Sequence, residues 1–412
     1  FIFRLYKLES PLADWHSWRQ ADTASVTRIF VSDGINLLYP RYYDISSVQT
    51  GIFNPIGFRF VEFPVFNAIH AFFVLNFSFF NLEVWGRLVS IFSSLICIFF
   101  IYLIGKRFMG TWGGLLSAGF FSFIPFNIYF SRVILPEPMA TMFAIVGLYL
   151  FIKFIDSNKS FYLLTSGVFF ALGILVKPFV AFYLVPVVYL IFKNFGLKEI
   201  YKTPRLLIKL LLYMDIVLVP FLLWRGWINK YPEGIPHFLW AFNGDKIRFK
   251  PSFWRWIFGE RLGNLILGSW GLIPFSFGIL TKLKNKFGYF IQVTLLGMLM
   301  YVTLFATASV RHDYYQTITI PAISLALASG VLVLWKSKDF NRILSRSLIV
   351  LSISVMFIIG AFQVREFYKI NHPEIIEAGN AADRLLPKNA LIIAPYNGDT
   401  AFLYQTNRQG WP

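Results

Sequence analysis

The chain has one cysteine in 412 residues and only five histidines. Cys97 lies inside an apolar run, so an intrachain disulfide and a cysteine metal cluster are both excluded. Charge is also scarce. Charged residues make up 14% of the chain, and acids (21) are outnumbered by lysine and arginine (38). No Walker loop, G-x-G-x-x-G or H-E-x-x-H occurs, so the sequence spells out no soluble nucleotide or zincin site. There is no signal peptide with a cleavage site, and no obvious internal repeat of the kind many transporters carry.

What the chain has in excess is apolar surface. Hydrophobic residues reach 57% and the mean hydropathy is +0.60, more than a soluble domain of this length can bury. The 48 Phe, 20 Tyr and 12 Trp suit lipid-facing helices and interfacial belts. The predicted class is an all-α polytopic membrane protein. The net charge of +17 then sets topology and does not imply nucleic acid.

Apolar runs near 84–104, 112–130, 138–155, 161–176, 178–195, 206–228, 262–280, 288–308, 314–335 and 346–366 predict about ten spanning helices. The opening FIFRLYKL reads as the stump of another, giving about 11 with the first truncated. Five short loops are basic, around Lys106, Lys153, Lys198, Lys284 and Lys338, and they alternate with turns that hold few cations. All five fit the cytoplasmic side together. That assignment holds only if 64–80, which carries Asn67, His70, Asn76 and Ser78, lies along the interface without crossing. Loop 9–63, the turn 131–138, loop 229–261 and RHDYY at 311–315 then share the outer face. So does the tail 367–412, which reads as the start of a small outer α/β domain. PEIIEAGNAADRLL predicts a helix, ALIIA a strand, and NGDTAFLYQ a turn into a helix. Residues 1–366 form the membrane-embedded part.

Against this background DWHSWRQADTA, at 14–24, is anomalous. Ionisable groups at membrane depth are costly, which makes them functional candidates. They gather on the outer side: Asp14, His16, Arg19, Gln20 and Asp22; Glu62; Arg132 and Glu137; Lys177; Arg311 and His312. On a helical reading Arg19, Asp22 and Val26 share one face, as do His16 and Gln20. Taken singly, each such charge is more often a solvated loop residue or an ion pair. Asp14 and Asp22 also suit helix caps, and Lys177 suits snorkelling. Taken together, carboxylates that activate a hydroxyl and cations that hold a phosphate suit transfer from an anionic lipid. A transporter or lipid flippase is the alternative. It predicts charge near the bilayer midplane, where only Asp215 stands out. A polymer ligase centred on the basic loop 229–261 is a third reading.

In order and spacing, HSWRQADTA (16–24), VEFPVF (61–66), SRVILPEPMATMF (131–143), LVKPFVAF (175–182), RHDYYQTITIPAISLALA (311–328) and GDTAFLYQTNRQGW (398–411) resemble the GT-C glycosyltransferases. The nearest branch is the family-39-like group of protein mannosyltransferase and lipid A aminoarabinose transferase relatives. The resemblance implies a GT-C-like bundle in the cell membrane, inner or plasma, with its active site outside. It implies inverting transfer of a sugar from a polyprenyl-phosphate donor to a glycan, lipid or protein acceptor. It carries Asp22 onto a first-loop acidic position, while His16 stands where relatives place an aspartate. The base is therefore Asp22 or Asp14. Glu62 and Glu137 fall on further acidic positions, and Lys177 on a lysine turn. The same reading puts Glu137 beside Asp22 and Asp14 among the catalytic acids, and His16, Arg19, Gln20, Glu62, Arg132, Lys177, Arg311, His312 and Tyr315 on substrate. Some relatives hold a divalent metal ion beside such carboxylates and others need none, which leaves a metal open.

Overall fold

The computed structural model describes residues 1–412 and is almost entirely helical. Helix α1 spans Ser17–Asp33, α2 Val65–Asn76, α3 Leu82–Phe123, α4 Glu137–Ser157, α5 Ser160–Val176, α6 Leu184–Phe195 and α7 Pro204–Ile228. Helix α8 spans Leu272–Leu280, α9 Phe290–Leu304, α10 Ile320–Lys336 and α11 Arg342–Val364; short helices and turns connect them. Six helical stretches are long and apolar enough to cross a bilayer: Leu82–Phe123, Glu137–Ser157, Pro178–Phe195, Pro204–Ile228, Asp313–Lys336 and Arg342–Tyr368. The protein is a multi-pass membrane protein.

Two expected spans are not continuous. Helix α3 covers the expected 84–104 run and breaks at Gly110 (φ 78); its second half then stops at Phe123. Ile124 turns extended because Pro125 follows it, and a residue before proline is pushed out of the helical region. The 262–280 run is cut after a π-helical stretch, Arg255–Ile266, where Gly268 and Ser269 turn left-handed (φ 46 and 57). Helix α2, at 12 residues, spans about 18 Å, too short to cross a hydrocarbon core of about 30 Å.

Helices pack closest where side chains are smallest. Helices α8 and α10 cross on Gly278 and Gly330, where an added Cβ would lie 1.9 Å from Ala326 O and 1.7 Å from Pro274 O. Helices α4 and α5 meet over Gly147, whose carbonyl accepts the Ser166 hydroxyl at 2.7 Å. Such small-residue contacts replace the hydrophobic drive that lipid removes.

The bundle has two chemically distinct ends. At one, the basic loops meet: Arg107 pairs with Asp156 at 2.6 Å, and Lys286 donates to Asn194 at 2.8 Å. At the other end lie α1 and the polar loops. The tail comes to this end too, with α12 (Glu374–Leu385), β1 (Ile392–Ile393), α13 (Thr400–Gln405) and β2 (Gly410–Trp411). The strands pair in parallel, Ile392 opposite Gly410, and Gly410 also bridges to Asp44 of the first loop.

Candidate active site

Helix α1 is a polar helix in an apolar molecule, yet it is buried without a gap from Arg19 to Thr27. His16 enters it in the left-handed region (φ 56), a conformation uncommon outside glycine. A helix of this composition is buried only if its polar groups find partners. They do, on four separate segments.

Arg19 pairs with Glu62 of the loop before α2. Glu62 also receives Lys177 at 2.9 Å, and Lys177 lies 2.7 Å from Glu137 at the start of α4. One turn along α1, Asp22 receives Arg59 at 2.6 Å, Gln49 at 3.2 Å and the Thr400 hydroxyl at 2.7 Å. Gln20 donates to Asp14 at 2.7 Å, and Arg132 stands 3.6 Å from the same carboxylate. His16 and the Trp15 indole both reach Asp313, at 2.7 and 3.0 Å, with Arg261 3.6 Å away. Burial alone would raise the Glu62 carboxyl, but Arg19 and Lys177 hold it down at about 2. The same two acids raise Lys177 against its burial. Burial, then His16, lowers His312 to about 4, so its ring is neutral at pH 7.

Of these groups Arg19, Gln49, Arg59, Glu62 and Lys177 border a cavity of about 570 Å³. Arg19, Arg59, Lys177 and Arg225 supply its cations, and Glu62 is its one carboxylate. Trp18, Phe179, Phe221, Trp240, Tyr314 and Tyr315 supply aromatic wall. A polar void of about 20 Å³, room for about one water, touches Asp22, Arg19, Arg59 and Glu62.

In ArnT from Cupriavidus metallidurans bound to undecaprenyl phosphate, helices superpose on 99% of this chain and 83% of that one, at a TM-score of 0.67 and 12% identity. The fold is that of the GT-C glycosyltransferases. The GT-C likeness extends to an oligosaccharyltransferase from Archaeoglobus fulgidus, solved with zinc and sulfate. There the TM-score is 0.54 at 12% identity, over 94% of this chain and 55% of that one. Residues 62–224 match the sequence profile of a family described as dolichyl-phosphate-mannose-protein mannosyltransferase. No curated protein sequence matches the chain.

Within this GT-C bundle the residues singled out in the sequence separate into groups. Arg19, Glu62, Lys177 and Tyr315 line the large cavity. Asp22 lies one layer behind its wall, with no exposed side-chain surface. Asp14 and His16 face a second cavity, of about 190 Å³, with His372, Tyr396 and Asp399 of the tail. Trp18 lines both. Glu137 is fully buried behind Lys177, and Arg132 behind Asp14. Gln20 braces the turn at Ile134. Arg311 is exposed and stacks over Trp240 at 5.8 Å, beside His312. Asp215, the mid-span acid, faces outward from α7. Nowhere do three histidine, cysteine or acidic side chains converge as a ligand set for a metal ion, and the carboxylates at the cavity are already matched by cations.

Sequence reasoning passed over Arg59, Gln49, Asp313, Arg225 and Thr400. Three had a signal. Arg225 sits in WRGW, a cation between tryptophans at a span's end, Asp313 lies within the quoted RHDYY, and Thr400 lies within the quoted GDTAFLYQTNRQGW. Arg59 and Gln49 belong to a loop whose path only the tertiary structure supplies.

Proposed function

We propose that the protein transfers a sugar from a polyprenyl-phosphate-linked donor to an acceptor on the extracytoplasmic face of the membrane, with inversion. The observation that carries this reading is the cavity of four cations and aromatic wall lying against a first-loop carboxylate. The charges around it count as follows. Arg19, Arg59 and Lys177 are matched by Glu62, Asp22 and Glu137, and Arg225 has no acidic partner. One unmatched cation suits a phosphodiester donor, which carries one negative charge. The family match at 62–224 and undecaprenyl phosphate in the ArnT structure support a lipid phosphate as that donor. The basic loops at the opposite end support an extracytoplasmic site by the positive-inside rule.

In the proposed reaction the acceptor's oxygen attacks the anomeric carbon from the face opposite the phosphate. The bond from that carbon to the phosphate oxygen breaks, and the phosphate leaves with the electron pair. Asp22, paired with Arg59 and reached through the small polar void between that pair and Glu62, takes the acceptor's proton. The leaving phosphate becomes a monoester with a charge of about −1.5 to −2, so the cations bind it more strongly than the ground state. The experiment is release of polyprenyl phosphate from a labelled lipid-linked sugar by purified protein. Release that depends on Asp22 supports the reading; movement of the intact donor lipid across the bilayer without release would make the protein a flippase.

A further inference from the structure

We infer that Thr400 is a positioning residue of the active site, holding the Asp22 carboxylate for the acceptor's proton, and that the segment 398–405 is a working part of the site. This deepens the proposed function and rests on Asp22 as the base.

Thr400 is buried, and its hydroxyl points to two acceptors, Asp22 Oδ1 at 2.7 Å and Trp18 O at 3.1 Å. A hydroxyl has one proton to donate, and the carboxylate is both closer and charged. Arg59 binds the other carboxylate oxygen, Oδ2, at 2.6 Å, and Gln49 approaches the same atom at 3.2 Å. The carboxylate is thus fixed by three residues from two segments far apart in sequence, the first loop and the tail. The partners have different consequences. Arg59 and Gln49 also line the large cavity, where substrate can draw them away. Thr400 lines neither cavity, so substrate in either leaves its bond to Asp22 uncontested.

The residues before Thr400 form the wall between the two cavities. Gly398 lines the large one, Asp399 the smaller one, and Trp18 both. Gly398 is left-handed (φ +75), and a Cβ there would lie 3.0 Å from Val48, next to Gln49. Close approach of the tail to the first loop therefore needs glycine at this point.

The tail does not depend on the Thr400 hydroxyl for attachment. Tyr404 donates to Glu83, Arg28 reaches the same carboxylate at 2.9 Å and stacks 3.8 Å over the Tyr404 ring, and Gln405 donates to Leu12 O at 2.8 Å. Beyond α13, Ile45 N donates to Gly410 O at 3.0 Å, and Gly410 N donates to Tyr43 O at 3.0 Å. Loss of one hydroxyl leaves all of these in place.

The charged and titratable groups that bear on Asp22 are Arg59, Arg19, Tyr42, Asp44 and Asp399. Removing a donor from a carboxylate raises its pKa, and a base works ionised, so the acid limb of the rate profile must move to higher pH. Asp399 needs separating from Asp22, because burial already lifts it to about 6.

The test uses the full chain in detergent, with release of polyprenyl phosphate as readout and thermal unfolding as a check of fold. In Thr400→Val, kcat should fall about tenfold or more, the usual worth of a hydrogen bond to a charged group. The acid limb of kcat/KM should move to higher pH, and KM for the donor should stay. Thr400→Ser should restore both rate and limb. If the valine variant does not fold, Thr400→Ala gives the same reading. The limb should move equally in an Asp399→Asn background. An unchanged rate and limb in Thr400→Val, with Asp22→Asn inactive, would overturn the inference and leave Asp22 as base. A shift that disappears with Asp399→Asn would overturn it too. Full activity in Asp22→Asn would instead remove the base reading on which the inference stands.

Discussion

Lys177 places its ammonium 2.7 Å from the Glu137 carboxylate, at a position where Glu137 has no exposed surface. With Glu62 on the other side at 2.9 Å, the lysine bridges two acids and fronts the large cavity. Read along the chain, Glu62 and Glu137 are acids available for chemistry. In three dimensions each already has a cation, which suits them to set the charge of the cavity wall.

Asp22 and Asp14 face different spaces, so their amides separate them. Asp22→Asn keeps size and loses basicity. Transfer should fall by roughly 10²–10⁴-fold, the usual worth of a general base, with donor affinity nearly unchanged. Asp14→Asn, bonded to Gln20 away from the large cavity, should cost far less. Loss in the Asp14 variant alone would move the base to Asp14.

Among the cations, Arg225 has no carboxylate partner and borders the cavity. Arg225→Ala should weaken binding of undecaprenyl phosphate by on the order of tenfold, as measured on purified protein. Lys177→Ala should weaken binding as well, and should also cost stability, because it strands the buried Glu137 and leaves Glu62 to Arg19 alone. Arg311, exposed against Trp240 and outside the cavity wall, should matter least. Equal loss in Arg311→Ala and Arg225→Ala would place the phosphate elsewhere.

Glu62 carries a pH signature. Its folded pKa is depressed, from 4.5 to about 2, because Arg19 and Lys177 outweigh its burial. A group of that kind contributes stability that is fully present above its unfolded pKa and lost as pH falls through the folded one. The stability gap between the wild type and Glu62→Gln should be constant above about pH 5 and narrow between about 4.5 and 2. Thermal unfolding across that range measures it; a gap independent of pH would contradict the pairing.

Topology has a direct test, because Cys97 is buried and gives little background. With Cys97 replaced, a cysteine at Leu82, the first residue of α3, should label from outside the cell. Labelling only from the cytoplasm would invert the map and with it the proposed side of the reaction.

Gly330 and Gly278 test the packing. A methyl at Gly330 would stand 1.7 Å from Pro274 O, backbone that cannot rotate away. Gly330→Ala should destabilise the bundle by about 1–3 kcal/mol or more, the cost of overpacking, with thermal unfolding as readout.

The sequence by itself determined the solvent. Apolar runs of spanning length, basic loops in alternation and a short polar-flecked run at 64–80 describe a helical membrane protein, because hydropathy and charge act locally along the chain. It also determined where the polar chemistry is concentrated, since a buried charge is costly wherever it falls. It could not assign partners. Asp22 meets Arg59 and Thr400 across 37 and 378 residues, and no local rule pairs them. Nor did hydropathy, which averages over an apolar run, show the turn at Gly268–Ser269 that interrupts one of them. Which cations and hydroxyls stand within a few ångströms of each acid is set by how distant segments pack, and only the tertiary structure decided that.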